Sequence, residues 1–408
     1  MSHLLISLVL IPLTLFGAEK WTPLFNGSDL AGWEQKNGTA TYSVEKGIIV
    51  GRSAEGSPNS FLCTRRTYGD FILEFEVLVD PVLNSGVQIR SHTYGADAEV
   101  TTLNATRQKR KWPAGRVHGY QVEISSESSA DSGGIYDEAR RGWLHNISSD
   151  PAARVAFRDN QWNRYRVEAR GVSIKTWING VPCANLIDTA DLDGFIGLQV
   201  HAFKGPHPKE VRWRNLRIQD LGRHTWKPLP MNLAAWERFG GGDWTVADGV
   251  FRGIQKPEST ERGFLLSKGE YGDFAVRLQY RAVKGNSGFF FRMNHPKLRI
   301  GGPIGYEVEV YPTRDAGGLQ EPGGRGWILH TGPAEKTDFY QPDVWNEMAV
   351  AAYAGRITVL INGTKTADAN NDPGRRTGRF GLQLNPKQDL EVLFRSLEIL
   401  SPATEALQ

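Results

Sequence analysis

The chain contains one module twice, and that repeat constrains its fold more than any other feature of the sequence. Trp21-Thr-Pro-Leu24 returns as Trp226-Lys-Pro-Leu229, and Leu30-Ala-Gly-Trp33 as Leu233-Ala-Ala-Trp236. Tyr68-Gly-Asp-Phe71 returns as Tyr271-Gly-Asp-Phe274, and Asn84-Ser-Gly86 with Arg90 as Asn286-Ser-Gly288 with Arg292. The order continues through Gly119-Tyr-Gln-Val-Glu123 and Gly305-Tyr-Glu-Val-Glu309, then Ile178-Asn-Gly180 and Ile361-Asn-Gly363. A chain of 408 residues exceeds what one core usually serves, so the repeat divides it into two domains, 19–221 and 222–401, with a tail over 402–408. Sixteen more residues separate Arg90 from Glu123 than separate Arg292 from Glu309. An insertion that long is expected in a surface loop, at the rim of a binding face.

Each copy is built from short runs that alternate in hydrophobicity, such as Phe71–Val77, Arg164–Ala169 and Val172–Ile178. Period-2 alternation is the mark of half-buried strands. Asn179-Gly180 and Asn362-Gly363 stand between such runs, where a two-residue hairpin needs residues that tolerate positive φ. With 45 Gly and 21 Pro to make turns and no long helical stripe, the chain reads as all-β. Two-sheet sandwiches follow, of which the jelly roll is one topology.

Residues Leu4 to Phe16 form an apolar run followed by Gly17 and Ala18, which reads as a signal peptide over 1–18 and predicts export to the periplasm or the outside. No later stretch is long and apolar enough for a membrane span in the mature chain. A net charge of +3 and only one short basic cluster, Arg107, Lys109, Arg110 and Lys111, argue against nucleic acid as a partner. Cys63 and Cys183 could pair in an oxidising compartment or stand as two separate buried thiols. Oligomeric state is not legible.

Strand alternation also suggests where chemistry could reside. Gln121 and Glu123 share one face, as do Gln88 and Arg90, and Gln199 and His201. Were these strands neighbours, one surface would gather an acid, a guanidinium, an imidazole and several amides, which suits sugar hydroxyls. Tyr136 and Asp137 lie in a glycine-flanked loop able to reach over a ligand, and Trp143 stands close after it. Each residue admits a plain structural reading as well. Glu123 and Arg90 could be a simple ion pair, His201 a hydrogen-bonded scaffold residue, and Trp143, Trp162 and Trp177 packing groups.

The runs Gly119–Ile124, Ser132–Glu138 and Arg141–Trp143, with Asn84–Arg90, Trp162-Asn163, Trp177–Val181, Gly197–His201 and Arg212–Ile218, resemble the 3-keto-disaccharide hydrolase domain family. The likeness spans nearly all of the first copy and, more loosely, the second. It implies two tandem concanavalin-A-like jelly-roll β-sandwiches and a 3-keto-glycoside as substrate. A ketone at C3 acidifies the C2 proton, so a base there can drive β-elimination of the C1 substituent, and adding water completes a net hydrolysis. That route needs a base, a donor to the leaving oxygen and positive charge near the enolate. On this reading Glu123 or His201 is the base, His201 or Tyr136 assists the leaving group, and Arg90 or a cation steadies the enolate. Gln88, Gln121, Asp137, Gln199 and Trp143 are the expected substrate-binding residues. No cofactor is specified; Glu123, Asp137 and His201 are the candidate ligands should a divalent metal take part.

Two departures qualify the likeness. Ser125 stands where the family often carries an acid. The second copy has Asn385, Phe290 and Gln320 for His201, Gln88 and Tyr136, while it keeps Arg292, Glu307 and Glu309. The second domain is therefore expected to be non-catalytic, serving sugar binding or scaffolding. The competing readings of the whole chain are a non-catalytic exported carbohydrate-binding protein and a structural exported protein.

Overall fold

The computed structural model describes residues 20–103, 107–294 and 304–404, and the predicted signal peptide lies outside them. Two β-sandwiches follow one another, each an eight-stranded sheet packed on a seven-stranded sheet, all pairs antiparallel. In the first, Phe71–Val79 and Glu210–Asp220 pair at the middle of the larger sheet. The smaller sheet runs in the order Gly142–His145, Ile135–Glu138, Val117–Ile124, Ser85–Thr93, Phe195–Val200, Ser60–Thr64 and Trp33–Lys36. The second sandwich repeats this order from Gly326–Leu329 through Leu319–Glu321, Tyr306–Val310, Ser287–Met293 and Arg379–Leu384 to Gly263–Ser267 and Trp236–Gly240. Its last strand, Leu390–Thr404, runs past residue 401 into the segment expected to be tail.

The alternation seen in the sequence decides which face is core. Val87, Ile89, Tyr120, Val122 and Ile124 from the smaller sheet meet Leu73, Phe75, Val77, Tyr165 and Val167 from the larger one. Hydrophobic burial of these side chains, about 1.5–3 kcal/mol for each large one, holds the two layers together. Asn179 and Gly180 carry φ of 52° and 85°, as the hairpin required, and Asn362 and Gly363 repeat them at 48° and 76°. A small apolar cluster of Val172 and Ile187 with Ala275 and Ala351 joins the two sandwiches. Cys63 and Cys183 are both buried free thiols. Among the described residues no helix is long and apolar enough to cross a membrane.

One irregularity governs the site. Pairing between Ser85–Thr93 and Val117–Ile124 shifts register between His118 and Tyr120, and Arg90 sits there with φ +46°. Arg90 and Ser91 together stand opposite Gly119, which is a β-bulge with its first residue in the left-handed region. Arg292 repeats the bulge at φ +47°. Gly194 closes over it: a Cβ there would lie 2.4 Å from the Arg90 carbonyl carbon and 2.5 Å from the Ser91 nitrogen. Gly194→Ala is therefore expected to cost about 2 kcal/mol or more, read as a lowered denaturant midpoint with an unchanged slope. Gly378, 2.4 Å by the same measure from the Arg292 carbonyl carbon, should behave alike.

Candidate active site

The outer face of the smaller sheet in the first sandwich carries a hollow of about 430 Å³. Its floor is Gln121 and Glu123 from Val117–Ile124, beside Tyr136 and Glu138 from Ile135–Glu138. Asn59, Asn84 and His201 close one side, Trp143 another, and Arg110, Trp112 and Arg116 the rim. Arg110 and Trp112 come from the insertion, which forms a two-stranded hairpin of Ala98–Thr101 and Lys109–Trp112.

Glu123 is the centre of this arrangement. Its side chain is 6% exposed, and its two oxygens accept hydrogen bonds from Asn84 Nδ2 at 2.5 Å and Gln121 Nε2 at 2.9 Å. Behind it runs a chain of donors: Ser91 Oγ donates to Gln88 Oε1 at 2.8 Å, and Gln88 Nε2 to Gln121 Oε1 at 2.6 Å. Loss of hydration on burial pushes the Glu123 carboxyl up to about 7, the two amide donors opposing that and the Glu138 charge adding to it. The acid is thus poised to exchange a proton near neutral pH.

Burial likewise raises the Glu138 carboxyl, against an ion pair from Arg116 and an Asn59 Nδ2 bond of 3.2 Å. The Arg116 guanidinium lies 5.0 Å from the Trp112 ring centroid, so the rim is braced by a cation–π contact. Burial and the neighbouring Glu138 charge raise the Tyr136 phenol, which keeps its proton at neutral pH. Trp143, 39% exposed, packs edge-on to Tyr136 with ring centroids 5.4 Å apart. His201 Nδ1 lies 2.7 Å from the Ala202 carbonyl oxygen, which can only accept. Nδ1 therefore carries the hydrogen, and in the neutral ring Nε2 holds the lone pair.

The structure thus brings together Glu123, Gln121, Tyr136, Trp143 and His201 among the expected site residues. Four others stand elsewhere. Arg90 is wholly buried beneath the sheet, where it donates to Asp70 Oδ1 at 3.0 Å and to the carbonyls of Gly69 and Gly171 at 2.8 and 2.6 Å. The bulge turns it to the opposite side and puts Ser91 beside Gln88 in its place. Asp137 points away from the hollow and is held by Arg140 at 2.8 Å and Arg141 at 2.5 Å. In its strand the alternation exposes Tyr136 and Glu138 to the hollow instead, so Asp137 cannot complete a metal site with Glu123 and His201. Among the described residues no three His, Cys, Asp or Glu side chains gather as metal ligands. Gln88 and Gln199 are fully buried behind the lining, Gln88 acting through Gln121.

Glu138, Asn84, Asn59 and Arg116 were not among the expected site residues. Glu138 had a signal in the sequence, since it stands two residues after Tyr136, and Asn84 had one in its recurrence as Asn286. Asn59 and Arg116 reach the hollow from neighbouring strand ends, and no local pattern marks them. A larger hollow of about 580 Å³ lies on the other sheet beside Phe25 and Glu74. Burial alone would raise the Glu74 carboxyl, but Arg217, Arg164 and Arg166 outweigh it and hold the group below its usual range. An acid clamped by three guanidinium groups is a poor proton carrier at neutral pH, which makes Glu123 the better candidate of the two for proton exchange.

The second sandwich has a corresponding hollow of about 360 Å³. Glu309 there accepts from Asn286, as Glu123 does from Asn84, and from Gln320 Nε2 at 2.7 Å. Glu307 replaces Gln121, Pro322 stands for Glu138 and Asn385 for His201.

The model of a family described as the 3-keto-alpha-glucoside-1,2-lyase-like domain matches residues 20–219 and again 226–400. No curated protein matches the chain in sequence. Among solved structures, a candidate glycosyl hydrolase from Parabacteroides distasonis is 20% identical, with 43% of this chain and 98% of that one covered and a TM-score of 0.32. Carbohydrate-binding module CBM66 from Bacillus subtilis is 17% identical over 40% of this chain and 93% of its own, at a TM-score of 0.31. A Bacillus subtilis protein with a galectin-like fold is 12% identical over 44% and 99%, at 0.36.

Proposed function

The chain belongs to the 3-keto-alpha-glucoside-1,2-lyase-like domain family in both of its copies, and from that premise we propose that the first sandwich cleaves 3-keto-glycosides in the hollow around Glu123. The observation that carries this reading is a buried carboxyl, pushed up to about 7, facing a polar hollow beside a protonated phenol and an imidazole. Glu123 takes the C2 proton, and the electron pair moves into the ketone as an enolate. Arg110 at the rim supplies positive charge toward that oxygen, in the place first given to Arg90. Collapse of the enolate forms the C1–C2 double bond and expels the C1 oxygen, which takes a proton from Tyr136 or from a protonated His201. Addition of water across the double bond returns a 3-keto sugar, so the sum is hydrolysis. Gln121 and Asn84 hold the Glu123 carboxylate in place, and Trp143 offers a flat face to a sugar ring.

The exposed Trp143 against Tyr136 also favours a second reading, a carbohydrate-binding sandwich without turnover. The assay that separates them incubates the protein with 3-keto-trehalose and a chromogenic 3-keto-glucoside, with and without chelator. Release of the leaving group above the buffer rate is expected. Saturable binding of several such sugars with no release would replace the enzyme by the binding module.

A further inference from the structure

In the first copy a chain of amide donors serves the centre of the hollow's floor, where Gln88 donates to Gln121 and Gln121 to Glu123. Two replacements in the second copy break that chain. Glu307 stands where Gln121 does and has no amide hydrogen to give to Glu309, and Phe290 stands where Gln88 does and has none to give to Glu307. Glu307 lies over the bare Cα of Gly288, 2% exposed, and its Oε1 has no hydrogen-bond partner. Gln383, 1% exposed, lines the same hollow with Oε1 unpartnered, whereas its counterpart Gln199, likewise unpartnered, is not among the residues lining the first hollow. Such groups are costly to bury without donors.

We propose that the hollow of the second sandwich binds a sugar bearing a primary ammonium group, with the ammonium on Glu307, Glu309 and Gln383. An ammonium offers three donors and no acceptor, which complements the two unpaired oxygens, Glu307 Oε1 and Gln383 Oε1, beside the Glu309 carboxylate. Of the cations already at the rim, Arg314 is tied to Asp315 at 2.9 Å, which leaves Arg262 as the competitor for Glu307. The ring's apolar face lies against Trp327, 38% exposed and stacked on His330 at 4.2 Å between centroids. This site is separate from the Glu123 hollow and does not depend on the reaction there.

Calorimetric titration of the full chain with glucosamine, N-acetylglucosamine and glucose tests the proposal. Glucosamine should bind saturably at neutral pH, and the other two at least about tenfold more weakly, the loss expected when a charged hydrogen bond goes unmade. Glu307→Gln puts in the residue the first copy carries and should weaken glucosamine by about tenfold or more, at an unchanged circular dichroism spectrum. Should that variant not fold, Trp327→Ala on the exposed rim replaces it, with a weakening in the same direction. Equal binding of all three sugars, no binding of glucosamine, or glucosamine affinity untouched by these changes would overturn it.

Discussion

Glu123→Gln should lower turnover of a 3-keto-glycoside by about a hundredfold or more, the usual loss when a general base is removed. The amide has nearly the same shape but cannot take the C2 proton. The pH profile carries the same information with a sign. A base must be unprotonated, so the rate of the parent protein should rise as pH passes about 7 and level off above it. A rate that falls through that point would make Glu123 the acid instead, and a flat profile would remove it from the reaction.

The stability of the variant provides an independent reading. The Glu123 carboxyl binds its proton more tightly folded, near 7, than unfolded, near 4.5. Between those values the native state holds more proton than the unfolded chain, so stability falls as pH rises and stays low above about 7. The full shift corresponds to about 3 kcal/mol. Glu123→Gln removes that cost and gives up part of the bonding to Asn84 and Gln121. Its melting temperature relative to the parent should therefore be higher at pH 8 than at pH 5. A difference independent of pH would show that the carboxyl is not buried as described.

Arg90→Met should destabilise the protein by about 3–5 kcal/mol, because it leaves Asp70 buried without its guanidinium. Asp70 is only 3% exposed at its side chain, and its other partners are His224 Nδ1 at 2.5 Å and the Gly171 backbone N–H at 3.0 Å. For a domain of this size the melting temperature should fall by roughly 10 °C. Arg292→Met makes the same change in the second copy, but Asp273 is 56% exposed and water can take over, so the loss there should be clearly smaller. Adding Asp70→Asn to Arg90→Met should recover part of the loss, as expected of two groups that act on each other. At a temperature where Arg90→Met is still folded, its turnover should remain close to the parent's. A large fall in kcat without loss of stability would return Arg90 to the chemistry.

The order of landmarks in the two copies, together with period-2 alternation, was enough to read an all-β chain of two like modules. It was enough because side chains in a strand must alternate and a buried face must be apolar, whatever the strand's neighbours are. The same rule placed Gln121 and Glu123 together on the outer face, and it would have found Glu138 had it been carried two residues on from Tyr136. It failed at Arg90, where one residue in the left-handed region reverses the sense of the strand, and at Asp137, whose loop was read without a strand phase.

What the sequence alone determined, then, was the repeat, the strand content and which residue types share a face within each run, since these follow from local stereochemistry and spacing. What only the tertiary structure decided was which runs lie side by side, where the bulge falls and which acid is stripped of water. Asn59, Asn84, Arg116 and His201 meet Glu123 only through pairing between strands distant in the chain. The Glu123 carboxyl owes its proton affinity first to burial, and burial belongs to the packed molecule rather than to any segment of it.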